Sequence, residues 1–161
     1  MMRLGRRLVS AALLLALLTT VIYPGRAGAE PKSLRDQLVG TWILVSAVDV
    51  RKDGSKVNRW GAAPKGTFIL TSEGRYAQMI LRTDVRMFGA RNAASFGTFT
   101  VNERDKTIVT RVEASSNHNY NGTDRKRIIV SLTDDELIYL NPSTSSGTSV
   151  RAIWKIGRAH V

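Results

Sequence analysis

From Leu38 onward, apolar residues come in short runs that turn residues separate. The pattern predicts eight strands, over Gly40–Val50, Thr67–Thr71, Arg75–Arg82, Ser95–Val101, Thr107–Ser115, Thr123–Leu132, Glu136–Leu140 and Thr148–Lys155. Short strands at regular spacing are typical of a β-sandwich or a β-barrel. The one short helix that the pattern predicts covers Lys32–Val39, with Ser33 as N-cap and Asp36 three positions later.

Most links between these strands are short enough to be hairpins. Eight consecutive strands of this kind suit an antiparallel up-and-down barrel, because closure removes exposed edges. Such a barrel has room for its own side chains or for one small ligand. Two links are long: Asp49–Gly66, which contains Trp60, and Thr83–Ala94. Long links in a compact β-domain are either binding loops or plain surface insertions. We therefore predict a single all-β domain.

The N-terminus has a composition of its own. A basic head, Met1–Arg7, is followed by an apolar run of about 16 residues, Leu8–Tyr23, and by the small residues Ala27–Ala29. These parts in this order predict a secretory signal peptide, residues 1–29, and the run is short of the ~20 residues that span a bilayer comfortably. We expect a periplasmic or secreted protein that starts at Glu30 and has no stable membrane span after cleavage. An uncleaved membrane anchor is the alternative.

The C-terminus also stands apart from the rest. The last six residues, Ile156–Val161, can be encoded by a DNA string that resembles a common short-read sequencing adapter. We expect residues 156–161 to be read-through and not native, with a genuine short tail as the alternative, and give His160 no functional weight. The predicted barrel domain is then residues 30–155.

Charge and cysteine content narrow the classes of partner. The chain has 24 Lys and Arg against 13 Asp and Glu, a net charge of +11. Four basic residues belong to the predicted signal peptide and one, Arg158, to the tail, which leaves +6 for the domain. This moderate charge predicts no nucleic-acid partner but favours anionic ligands. Without cysteine, the chain has no disulfide, thiol nucleophile or thiolate metal site.

Several segments, taken in order, resemble the bacterial lipocalin-like domain family. They are Leu38–Ser46 with its Gly-x-Trp, Pro64–Thr67, Leu70–Tyr76, Phe96–Glu103, Gly122–Arg127, Leu132–Leu140 and Trp154-Lys155. The resemblance runs from Leu38 to Lys155 and implies an eight-stranded lipocalin-like barrel that binds a small molecule. It brings no catalytic residues.

Aromatic residues on the predicted strands are candidate pocket walls, because they offer flat apolar surface and, for Trp and Tyr, one polar group each. They are Trp42, Tyr76, Phe99 and Trp154. The alternative is that they pack in the core. Since the first and last strands of a closed barrel are neighbours, we expect Trp42 and Trp154 to be buried near one end.

The alternation along two strands allows two placements of Arg111 and Arg127, outside the barrel or inside it. On the fifth strand, Ile108, Thr110, Val112 and Ala114 share one face, opposite Val109, Arg111 and Glu113. On the sixth, Lys126, Ile128, Val130 and Leu132 share one face, opposite Arg125, Arg127 and Ile129. If the more apolar faces are inside, Arg111 and Arg127 are outside. The alternative, which the family resemblance favours, puts both on one side and at least one in the lumen, reading an anion. A buried Arg would then need a partner such as Glu113.

Three functions fit this sequence. The first is an exported protein that holds a small apolar or amphipathic ligand, anionic ones included, with no cofactor. The second is a barrel enzyme, an isomerase, cyclase or hydrolase, for which Glu113 is the one acid–base candidate. The third is an envelope-associated structural domain with a filled barrel. His118 stands alone in a polar loop, so we expect no metal site.

Overall fold

The computed structural model describes residues 30–84, 92–142, 144 and 147–157. The predicted signal peptide and residues 158–161 lie outside this part of the chain, so their assignments stay predictions. Ile156, the first residue of the predicted read-through tail, is the last residue of the final strand and pairs with Trp42. The N–H of the following Gly157 donates to the Thr41 carbonyl at 2.6 Å. None of the described helices is long and apolar enough to cross a membrane.

The described domain contains one short α-helix, one single-turn 3-10 helix (His118–Tyr120) and nine strands. The helix is α1 (Leu34–Leu38), and the strands are β1 (Gly40–Val50), β2 (Lys56–Val57), β3 (Lys65–Leu70), β4 (Arg75–Leu81), β5 (Ala93–Asn102), β6 (Thr107–Ser115), β7 (Asp124–Leu132), β8 (Glu136–Asn141) and β9 (Ser149–Ile156). Strands β1 and β3 to β9 pair antiparallel in chain order, and β1 also pairs with β9. The result is a closed eight-stranded lipocalin-like barrel, as predicted. The two-residue β2, which was not predicted, pairs with the end of β1.

Helix α1 packs over one end of this barrel. Its predicted N-cap is confirmed, since the Ser33 hydroxyl accepts from the Asp36 N–H at 3.0 Å. The Glu103 carboxylate accepts from the first N–H groups of the helix, which ties it to the β5–β6 turn. At the other end of the helix the Leu38 carbonyl accepts from the Trp42 indole at 2.9 Å, and Leu38 itself is fully buried. The helix therefore closes the barrel at this end.

Aromatic side chains fill the half of the barrel beneath α1. The Phe68 ring lies 5.7 to 6.3 Å from the rings of Tyr76, Tyr139 and Trp154, at angles typical of packed aromatic residues. Trp42 and Trp154 are 1% and 0% exposed, which confirms that both are buried at this end. They meet because closure places β1 beside β9.

Bulges change which side chains face the interior. On β6 the predicted interior face is confirmed for Ile108, Thr110 and Val112, which are buried. It is wrong for Ala114, which lies beyond a bulge, is half-buried and pairs with the exposed Phe96. This bulge is at Glu113, opposite Gly97, where any Cβ would lie 2.0 Å from the Arg111 carbonyl oxygen, so that only glycine fits.

Strand β7 does not follow the alternation that its apolar residues predict. Arg127 and Ile129 face the interior, and a bulge at Val130 then shifts the period, so Leu132 also packs against the core. Val130 is 56% exposed. The prediction that Arg127 lies outside is therefore wrong. It assumed that side chains alternate along β7 without interruption, which put Leu132 on the same face as Val130.

Candidate functional site

The end of the barrel opposite α1 holds a cavity of about 380 Å³. Its walls come from the ends of β4 to β9 and from the loop between β2 and β3. Aliphatic side chains such as Ile80, Val112 and Val150 supply the apolar part of the lining, and Ser, Asn and Thr side chains lie around them. This volume is at the small end of the range for ligand sites, which are mostly apolar with a few placed polar groups.

Arg127 lies where the cavity meets the packed half of the barrel. Its side chain is buried, with 6% of the residue exposed, and its guanidinium carbon lies 5.5 and 5.6 Å from the ring centres of Phe68 and Tyr139. Nη1 donates to the Thr110 hydroxyl at 2.6 Å, and Nη2 donates to Gln78 Oε1 at 2.7 Å. Neutral oxygens and aromatic faces thus hold this cation in place.

No carboxylate neutralises Arg127 within the part of the chain that the structure describes. The ion pairs found there join Arg59 to Asp49, Arg75 to Glu113, Arg82 to Asp84 and Arg111 to Asp124. The Arg127 Nε is buried and has no acceptor among the same residues. The charge therefore faces a cavity whose described lining contains no acidic side chain.

Two further arginines line the cavity. Arg125, two positions before Arg127 on the same face of β7, lies over the Tyr120 ring with its guanidinium carbon 4.2 Å from the ring centre. Arg59 forms an ion pair with Asp49, which is fully buried on β1, and this pair ties the β2–β3 loop to the barrel. Asp49 balances Arg59, whereas Arg127 has no carboxylate partner in the described chain, so the described cavity wall keeps a positive charge at Arg127.

The β2–β3 loop, residues 58–64, also places Trp60 in the lining, next to Arg59. Its indole N–H is buried and lacks a partner in the described part of the protein. This loop therefore forms part of the cavity wall. From the second long link, Asn92, Ala93 and Ala94 line the cavity, whereas residues 85–91 lie outside the described residues.

The four aromatic candidates lie elsewhere. Trp42, Tyr76, Phe99 and Trp154 are all buried in the core, and none belongs to the described lining of the cavity. Their placement as pocket walls is thereby corrected to core packing. The cause is that α1 and the aromatic side chains fill one half of the barrel, so inward-facing residues there have no free space beside them.

Arg111 and Glu113 are on the outer surface. Arg111 pairs with Asp124 at 3.2 Å, and both side chains are more than half exposed. The expectation that Arg111 shares a side with Arg127 is wrong, because Arg127 pairs with Ile108 and Arg111 is three positions further, on the opposite face. Glu113 therefore cannot pair with Arg127. It accepts from Arg75 at 2.5 and 2.8 Å, and this hydrogen bonding lowers the Glu113 pKa. The acid–base candidate for an enzyme thus lies outside the cavity.

The sequence contained signals for some of the cavity residues that were missed. Gln78 has the same parity on β4 as Tyr76 and Ile80, which are both buried, so alternation alone would have placed this amide inside. Tyr139 has the same relationship to Leu137 on β8. No local signal links either residue to Arg127.

Three solved barrels are similar to this chain at low sequence identity. No family model matches the chain, and no curated protein matches its sequence. A redesigned β-barrel is 14% identical over 79% of this chain and 100% of its own, with a TM-score of 0.47. A de novo designed fluorescence-activating β-barrel is 12% identical over 78% and 99%, also with a TM-score of 0.47. Bovine odorant binding protein, solved with a selenium-containing odorant, is 18% identical over 83% and 78%, with a TM-score of 0.45. The assignment of this chain to a lipocalin-like barrel rests on its own strand pairing.

Proposed function

We propose that this protein binds a small amphipathic molecule in its barrel, with the anionic head group of that molecule at Arg127. The observation that carries the proposal is a buried guanidinium that faces a cavity without a carboxylate partner in the described chain. The predicted signal peptide supports a place of action outside the cytoplasm.

The energetics of burial support an anionic ligand. Transferring a charged side chain out of water costs several kcal/mol unless the charge is paired and its hydrogen bonds are satisfied. Thr110, Gln78 and the rings of Phe68 and Tyr139 meet only part of this cost, because all of them are neutral. A ligand carboxylate beside Arg127 would supply the missing charge and accept from the unpaired N–H groups.

The walls of the cavity support a ligand with a short apolar body. Ile80, Val112, Val150 and Ala152 provide aliphatic surface next to Arg127. Because Tyr139 and the other core aromatics fill the barrel below this point, the ligand cannot extend into the lower half. A medium-chain carboxylate or a small aromatic acid suits this space. The open cavity also favours ligand binding over the third hypothesis, a structural barrel filled by its own side chains.

The test compares one carboxylate with the corresponding alcohol. Decanoate and decanol are titrated by calorimetry into the parent protein, into Arg127→Met and into the control Arg111→Met, which removes an arginine from the outer surface of the adjacent strand. We expect Arg127→Met to weaken decanoate binding tenfold or more and to leave decanol binding within about twofold. Arg111→Met should bind both ligands as the parent does.

Two results would contradict this function. One is a parent protein that binds none of octanoate, decanoate, dodecanoate and naphthoate. The other is an Arg127→Met variant whose affinity for the carboxylates equals that of the parent.

A further inference from the structure

We infer that the Tyr139 hydroxyl donates a second hydrogen bond to the same anionic head group, and that Gln78 is the positioning residue that directs its proton into the cavity. The inference rests on the proposed function and specifies the chemistry of its head-group site. It follows from the direction of the hydrogen bonds that join Arg127, Gln78 and Tyr139.

The Gln78 amide can be oriented in only one way. A guanidinium has donors and no acceptor, so the amide atom 2.7 Å from Arg127 Nη2 must be the oxygen, Oε1. The amide nitrogen Nε2 then faces Tyr139, and it donates to the phenol oxygen at 2.9 Å. Arg127 on β7 therefore determines, through Gln78 on β4, that Tyr139 on β8 accepts a hydrogen bond at this contact.

The phenol proton must consequently point away from Gln78. Tyr139 is a buried residue of the cavity lining, and within the described part of the chain its proton has no acceptor. Tyr139 and Arg127 contact the two ends of one amide and lie on neighbouring strands, with Tyr139 paired to Ile129. A head group at the cavity floor can therefore reach both residues.

This arrangement selects for a group that only accepts hydrogen bonds. Arg127 offers an Nη2 proton that Gln78 does not use, and Tyr139 offers its hydroxyl proton, so both contacts are donors. An ionised carboxylate can accept both with its two oxygens. An ammonium group would be repelled by Arg127 and could accept neither hydrogen bond, because it has only donors. An alcohol oxygen could accept both, but it carries no charge to balance Arg127, and its own hydroxyl proton would face two donors. The site is thus built for carboxylates and discriminates against amines and alcohols of the same length.

Two conservative substitutions test this inference, with decanoate and decanol as probes and calorimetry as the readout. Tyr139→Phe removes only the hydroxyl, and we expect decanoate binding to weaken about tenfold while decanol binding is unchanged. Tyr76→Phe is the matched control, since the Tyr76 hydroxyl is buried without a partner in the described chain and lies outside the cavity lining. It should bind both probes as the parent does.

Gln78→Glu tests the positioning role directly. The new carboxylate would accept from Arg127 and from Tyr139, which neutralises the guanidinium and turns the phenol proton away from the cavity. We expect decanoate binding to weaken at least tenfold and decanol binding to persist. Because a buried cation gains a counter-ion, we also expect the urea midpoint to stay the same or rise, which can be measured without ligand.

The outcomes separate this inference from the proposed function. A parent that binds no carboxylate contradicts the function itself. If Arg127→Met loses decanoate binding but Tyr139→Phe and Gln78→Glu retain parental affinity, the function stands and the inference is overturned. A Tyr139→Phe variant that loses decanoate and decanol equally also overturns it, because the tyrosine would then have a purely structural role.

Discussion

Arg111 and Arg127 lie on opposite faces of the same pair of strands. Arg111 is on the outer surface of β6 with Asp124, and Arg127 is inside the barrel on β7 with Thr110 and Gln78. The two residues have the same chemistry, but only Arg127 is removed from water, with 6% of the residue exposed. Arg111 is therefore an internal control for every experiment on Arg127.

Replacing Arg127 with Met should not destabilise the protein. The substitution removes a buried cation that lacks a counter-ion in the described chain and leaves an apolar side chain among Phe68 and Tyr139. We expect the free energy of unfolding in urea, measured without ligand, to stay the same or to rise by up to about 2 kcal/mol. Arg111→Met should change it by no more than about 0.5 kcal/mol. A loss above about 2 kcal/mol for Arg127→Met would indicate that the guanidinium mainly supports the fold.

Trp154 should be among the most sensitive positions of the core. The side chain is fully buried against Phe68 and Tyr139, and it does not line the described cavity. We expect Trp154→Ala to lower the free energy of unfolding by about 3–5 kcal/mol, because the removed ring leaves a cavity. Val130→Ala, at a position 56% exposed, should change it by about 0.5 kcal/mol or less. Equal urea midpoints for the two variants would contradict the placement of Trp154.

Asp49 should stabilise the fold without contacting a ligand. The carboxylate is fully buried and pairs with Arg59 in the cavity wall. We expect Asp49→Asn to lower the free energy of unfolding by about 3 kcal/mol, because it leaves Arg59 without that partner. The double variant Asp49→Asn with Arg59→Met should recover part of this loss. Decanoate affinity of Asp49→Asn should equal or exceed that of the parent, since the cavity becomes more positive; weaker binding would argue against an anionic ligand.

The Glu113 pKa should depend on Arg75, its partner on the outer surface. The hydrogen bonds from Arg75 lower the Glu113 pKa below its ordinary value of 4.5. A carboxyl whose pKa is lower in the folded state stabilises the fold above its unfolded pKa, and this contribution is lost as the pH falls through the folded pKa. We expect Arg75→Met to raise the Glu113 pKa towards 4.5 in an NMR titration of the folded protein. An unchanged pKa in the variant would show that Arg75 is not its cause.

Local patterns were sufficient for most of the strand layout. The eight main strands, the turn in which the Gly74 N–H donates to the Thr71 carbonyl, and the helix capped by Ser33 all follow from short-range preferences. The inner face of β6 also followed from alternation as far as Val112, where the bulge ends it. These features depend on residues within a few positions of one another, so a single sequence contains the information needed to predict them.

The cavity was decided by contacts that no local pattern contains. Arg127 and Ile129 face inwards because they pair with the inward-facing Ile108 and Tyr139, and the bulge at Val130 lets Leu132 pack against the core as well. Gln78 meets Arg127 across 49 positions of sequence and Tyr139 across 61, because closure of the barrel brings β4 opposite β7 and β8. The sequence alone determined strands, turns and a basic, cysteine-free domain. Only the tertiary structure decided which arginine is buried and which side chains it meets, since both depend on register and closure over the whole barrel.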